Sequence, residues 1–108
     1  MANVTLTVTL DAHGVPSRFV FAPDPIDINK AESIYWKQGS SNFAFAAIAF
    51  TEDNPFEKVV VSDTQISVYD HHRGKEKHEY SVLIRVGKNY YSSRPGGIGN
   101  GGPTIRNK

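Results

Sequence analysis

From Asn3 to Asp11 the chain reads Asn-Val-Thr-Leu-Thr-Val-Thr-Leu-Asp, with apolar and polar residues alternating at every step. Val4, Leu6, Val8 and Leu10 share one side, and Thr5, Thr7 and Thr9 share the other. Successive side chains of an extended backbone point to opposite faces, so a period of two describes a half-buried strand. On a helix the same order would scatter the apolar groups around the axis. β-Branched threonine suits the solvent face of such a strand.

The pattern continues beyond this strand. His13-Gly14-Val15-Pro16 reads as a turn, and Ser17 to Phe21 resumes extended structure with Phe19 and Phe21 facing one way. Pro23 and Pro25 bracket Asp24 and lack backbone donors, which places this stretch at an edge or in a sheet-changing crossover. Ile26 and Ile28 would pin that crossover to the core, and a strand near Ser33–Lys37 holds the only tryptophan, Trp36. Asn42 to Phe50 breaks phase: Phe43 and Phe45 share one parity, Ile48 and Phe50 the other. A strand there needs either two buried faces or a bulge near Ala46-Ala47. Four alanines support a helix instead, but a short Phe-rich run between strand-like neighbours favours the strand. Lys58–Val61 and Gln65–Asp70 follow as short strands. Ile66, Val68 and Asp70, then Tyr80, Val82, Ile84 and Val86, alternate around the charged loop Arg73–Lys77 and predict a β-hairpin. Gly87-Lys88-Asn89 turns the chain before Tyr90-Tyr91.

These strands predict an all-β antiparallel sandwich of about seven strands, immunoglobulin-like or cupredoxin-like. Its 108 residues suit one domain. Without cysteine, the chain has no disulfide framework, thiolate metal site or blue-copper centre. A net charge of +1 argues against general nucleic-acid binding. No apolar run approaches the roughly 18 residues of a membrane helix, and no signal sequence opens the chain. The sequence therefore reads as a soluble, cytoplasmic domain without membrane or nucleic-acid partners, and no cofactor is expected.

Candidate chemistry is sparse. His71, His72 and His78 cluster around the predicted hairpin, where His72 and His78 would sit on opposing strands, close enough to share a metal, with Asp70 or Glu79 adding an oxygen. The competing reading is a solvated tip whose polar residues protect a sheet edge. Asp24, Asp27 and Glu32, or Glu52 and Asp53, have no spacing that makes a catalytic pair, and Ser40 and Ser41 lack a glycine-flanked elbow. No enzymatic activity is expected. Tyr35, Trp36, Tyr69, Tyr80, Tyr90 and Tyr91 either line a carbohydrate or peptide groove or complete the core, the latter being favoured. Of Tyr90 and Tyr91, one must face outward.

The composition changes at Ser92. Residues 92–108 hold five of the nine glycines and three cations, Arg94, Arg106 and Lys108, with no acid, which leaves −2 on the remainder of the chain. Gly96 to Gly102 has the backbone freedom of an anion loop, but no Gly-Lys-Ser/Thr follows it. This division predicts a β-sandwich over 1–91 and a Gly/Pro-rich arm over 92–108, either flexible or lying on a surface such as that of a second copy. The segment Tyr91-Ser92-Ser93-Arg94-Pro95-Gly96-Gly97-Ile98-Gly99-Asn100-Gly101-Gly102-Pro103-Thr104-Ile105-Arg106-Asn107-Lys108 resembles the ending of the small bacterial DP-EP family. Arg94-Pro95 and Gly102-Pro103 stand where that family's name suggests Asp-Pro and Glu-Pro, so both acids are absent; Asp24-Pro25 lies far upstream. The resemblance implies a small β-sandwich with no catalytic residues to carry over. The expectation for function is a non-enzymatic binding protein that forms homo-oligomers through the arm, with Tyr90, Tyr91 and Arg94 at the contact. A metal-binding histidine cluster and an aromatic ligand groove are the alternatives.

Overall fold

The computed structural model describes residues 2–51, 56–73, 76–93 and 103–108. These are all-β. The first sheet contains β1 (Ala2–Leu10), β2 (Pro16–Ala22), β4 (Glu32–Gln38), β6 (Glu57–Val61) and β7 (Gln65–Asp70), in the order β2-β1-β4-β7-β6. The second runs β3-β10-β8-β5, from β3 (Ile26–Ile28), β10 (Thr104–Asn107), β8 (Lys77–Val86) and β5 (Ala44–Phe50), with β9 (Asn89–Ser92) paired to β8. Two sheets around one core are compatible with a sandwich. Ten strands are present among the described residues rather than about seven, and the sheets are mixed rather than antiparallel. β1 runs parallel to β4, and β10 parallel to β3. Among the described residues no helix is long and apolar enough to cross a membrane.

Period-two patterning explains which side chains reach the interior. Val4, Leu6 and Val8 of β1, Ile34 and Trp36 of β4, and Ile66 and Val68 of β7 are buried from one sheet. Ile26, Ile28, Tyr80, Val82, Ile84 and Ile105 meet them from the other. At the centre the Trp36 indole N–H donates to the Tyr80 hydroxyl at 3.0 Å, and the two rings meet edge to face at 5.3 Å. Burial pushes the Tyr80 hydroxyl well above the ordinary tyrosine range.

Several local expectations are met. The prolines at 23 and 25, each after a cis peptide bond, lie in the link that carries the chain from β2 at one sheet's edge to β3 at the other's. The register of β5 on β8 shifts between Phe45 and Ala47, which is the bulge that restores the broken alternation. Gly39 lies so close to β1 that a Cβ there would fall 2.6 Å from Thr5 Cγ2, while its N–H donates to the Leu6 carbonyl at 2.7 Å.

Two expectations are corrected. Residues 65–86 do not form a hairpin. β7 is flanked in its own sheet by β4 and β6, while β8 takes β5, β9 and β10 as partners, so the chain changes sheets between them. Residues 103–108 are not part of an arm. β10 is an interior strand between β3 and β8 with Ile105 fully buried, because its own alternation of Ile105 and Asn107 fits the core face. The rest of the predicted glycine-rich stretch, 94–102, lies outside the described residues.

Candidate functional site

At one end of the core, period two carries polar groups inward. On β7 the buried face runs Ile66, Val68, Asp70; on β8 it runs His78, Tyr80, Val82, Ile84; on β10 it is Ile105 and Asn107. Pairing of Ile105 with His78 sets Asn107 opposite Glu76 on the same face, and the Asn107 N–H donates to the Glu76 carbonyl at 2.8 Å. Asp70, His78 and Asn107 are the described polar residues that are buried, and all three line one cavity of about 110 Å³. Phe56, His71, His72, Arg73 and Glu76 complete its wall.

Local contacts orient these groups. One carboxyl oxygen of Asp70, Oδ1, accepts from the His72 backbone N–H at 2.8 Å. His72 itself has a left-handed backbone, φ 55°, where the chain bends toward the second sheet. Its ring Nε2 is 2.6 Å from the Lys108 carbonyl oxygen. His71 Nε2 lies 2.8 Å from Glu57 Oε2, an ion contact poorly directed for a hydrogen bond, and its ring meets Tyr69 edge on. The His71 ring beside Glu57 holds that carboxyl below the usual range. The buried His78 ring packs edge-on against Phe56, with Nε2 3.6 Å from Glu76 Oε2.

The cavity therefore gathers His71, His72 and His78 without converging them. Each faces a different partner, and among the described residues no three His, Cys, Asp or Glu side chains are placed to hold one metal ion. The cross-strand pairing expected of His72 and His78 disappears with the hairpin. What remains is an acceptor-rich recess. Asp70 Oδ2 and Asn107 Oδ1 are buried with no hydrogen-bond partner among the described residues. His71 Nε2, on the same wall, is a third such atom and has only its ion contact with Glu57. Most buried polar atoms are paired, so this grouping marks the cavity out. Asn107 and Phe56 had no functional reading in the sequence. The available signal was the parity of Asn107 with Ile105.

The aromatic residues do not form a surface groove together. Trp36 and Tyr80 are core, Tyr35, Tyr69 and Tyr91 are half-buried, and Tyr90 is 61% exposed on β9. Arg94 lies outside the described residues. The upstream acids serve the frame: Asp24 Oδ1 accepts from the Thr104 N–H, and Asp27 pairs with Arg106. Glu52 and Asp53 lie outside the described residues.

A second feature is a sheet edge. All five residues of β6 are exposed, and Val59, Val60 and Val61 stand in a row, Val60 at 59%. Among the described residues the strand pairs with β7 alone. Lys58, at φ 53°, sits in a register irregularity between Glu57 and Val60 that bends the first half of the strand. No family profile and no curated protein matches the chain.

Proposed function

We propose that the protein is a non-enzymatic β-sandwich, immunoglobulin-like or cupredoxin-like, that works by association between copies of itself along β6. The observation carrying this reading is the row of exposed valines on an edge that no described strand covers. An edge strand presents free backbone N–H and C=O groups, and proteins that stay apart usually guard such edges with charge, proline or a bulge. Here the irregularity at Lys58 guards the first half only, and Val59–Val61 carry no charge or proline. A net charge of +1 gives copies little reason to repel one another. β10 lies inside the second sheet, and the exposed β6 edge is the contact favoured here over the expected one through 92–108. Sedimentation velocity over a wide concentration range tests the reading. The wild type associates and Val60→Lys remains monomeric; a wild type that is monomeric at every concentration overturns it.

A further inference from the structure

The geometry points to the cavity at the Asp70 end of the core as a binding site for a small organic cation that donates N–H groups, an alkylammonium or a guanidinium. Asp70 Oδ2 and Asn107 Oδ1 are the observations that carry it. Asp70 is 2% and Asn107 9% exposed, both line the cavity, and neither oxygen has a donor among the described residues. Each is an acceptor, so the complementary ligand is a donor.

Three features narrow the class. Among the described residues of the wall, Asp70 and Glu76 are acids against one exposed Arg or Lys, Arg73, which suits a positively charged ligand over an anion. Phe56 is buried against the same space, and an aromatic wall attracts an organic cation. A metal ion is disfavoured because among the described residues the His, Asp and Glu side chains do not converge in threes, whereas N–H donors can satisfy separate acceptors one at a time. The volume, about 110 Å³, accommodates such a headgroup and also more than one water molecule, so hydration is the competing occupant.

This site is independent of association along β6. Nuclear magnetic resonance titration of the full chain with methylammonium and with methylguanidinium tests it, with magnesium and zinc chlorides as separate arms. The expected result is saturable shifts of the Asn107 side-chain amide and the His78 ring with at least one organic cation, the two arms showing which headgroup fits. Asp70→Asn keeps Oδ1 to accept from the His72 N–H while turning the orphan oxygen into a donor, and should weaken binding at least ten-fold with the spectrum still that of a folded chain. Should Asp70→Asn disturb folding, Asn107→Asp provides the second variant: it keeps the acceptor, adds an acid and should strengthen binding. No saturable shift, shifts indifferent to both variants, or tighter response to either metal would overturn the assignment.

Discussion

At the centre of the core the Trp36 N–H donates to the Tyr80 hydroxyl, deep between the sheets. At its end Asp70 and Asn107 are nearly as inaccessible, yet each keeps an oxygen without a donor among the described residues. Both places bury polar atoms on the core face of a strand. The difference lies in completion. In the central pair each polar atom has the other as its partner, Trp36 Nε1 donating to Tyr80 Oη, which makes it part of the frame. The end layer leaves acceptors open beside a cavity, and an open acceptor is a cost that only a ligand or water can offset. A buried polar residue therefore signals structure or binding according to whether its partner belongs to the same chain.

Substitutions at the two places should behave differently. Trp36→Ala carries the largest expected effect, about 3–5 kcal/mol of destabilisation, since it empties the middle of the core. Denaturant unfolding measures it, and a loss under about 1 kcal/mol would mean the centre is not the frame. Tyr80→Phe keeps the ring and removes the acceptor, leaving a buried indole N–H unpaired at about 1–3 kcal/mol. It also carries a pH signature. Burial raises the folded Tyr80 hydroxyl, so the unfolded chain releases that proton first. Stability is complete below the unfolded value of about 10 and declines as pH rises past it, and Tyr80→Phe should make that decline shallower.

Asp70→Asn at the other end should change stability by less than about 1 kcal/mol, because it keeps the bond to His72 and exchanges one unpaired atom for another. A loss equal to that of Tyr80→Phe would erase the distinction between the two places. The smallest effect belongs to the solvent-facing pair of Asp27 and Arg106, 2.8 Å apart. Arg106, through its hydrogen bond, and then Lys108 hold the Asp27 carboxyl below its ordinary range. Its contribution is present above the unfolded carboxylate value of about 3.9 and is lost as pH falls through the lower folded value. Arg106→Ala should raise the Asp27 titration toward the ordinary range, read by carboxyl chemical shifts, with little change in unfolding.

Much of the fold was legible locally. β1 and the tryptophan strand follow from alternation, the bulge in β5 from its change of parity, and the prolines at 23 and 25 from their missing donors. Pairing was not legible. The run ending at Asp70 and the run through Tyr80 look like a hairpin because they are close in sequence, yet each finds its hydrogen bonds in a different sheet. β10 was hidden for a related reason: four residues after a glycine-rich stretch carry too short a period to stand out, and only the slot between β3 and β8 makes them a strand. The site shows the same division, since three histidines near one another in sequence suggested a shared metal, whereas Asn107, distant from them, supplies an acceptor.

The amino-acid order by itself determined that this chain builds sheets, and which face of each strand is apolar, because both depend on a two-residue period that neighbouring side chains express locally. Only the tertiary structure decided which strands are neighbours, that the final residues complete a sheet, and that Asp70 and Asn107 share a cavity. Those outcomes depend on contacts between residues far apart along the chain, where hydrogen-bonding partners compete and the geometry of the whole core selects among them.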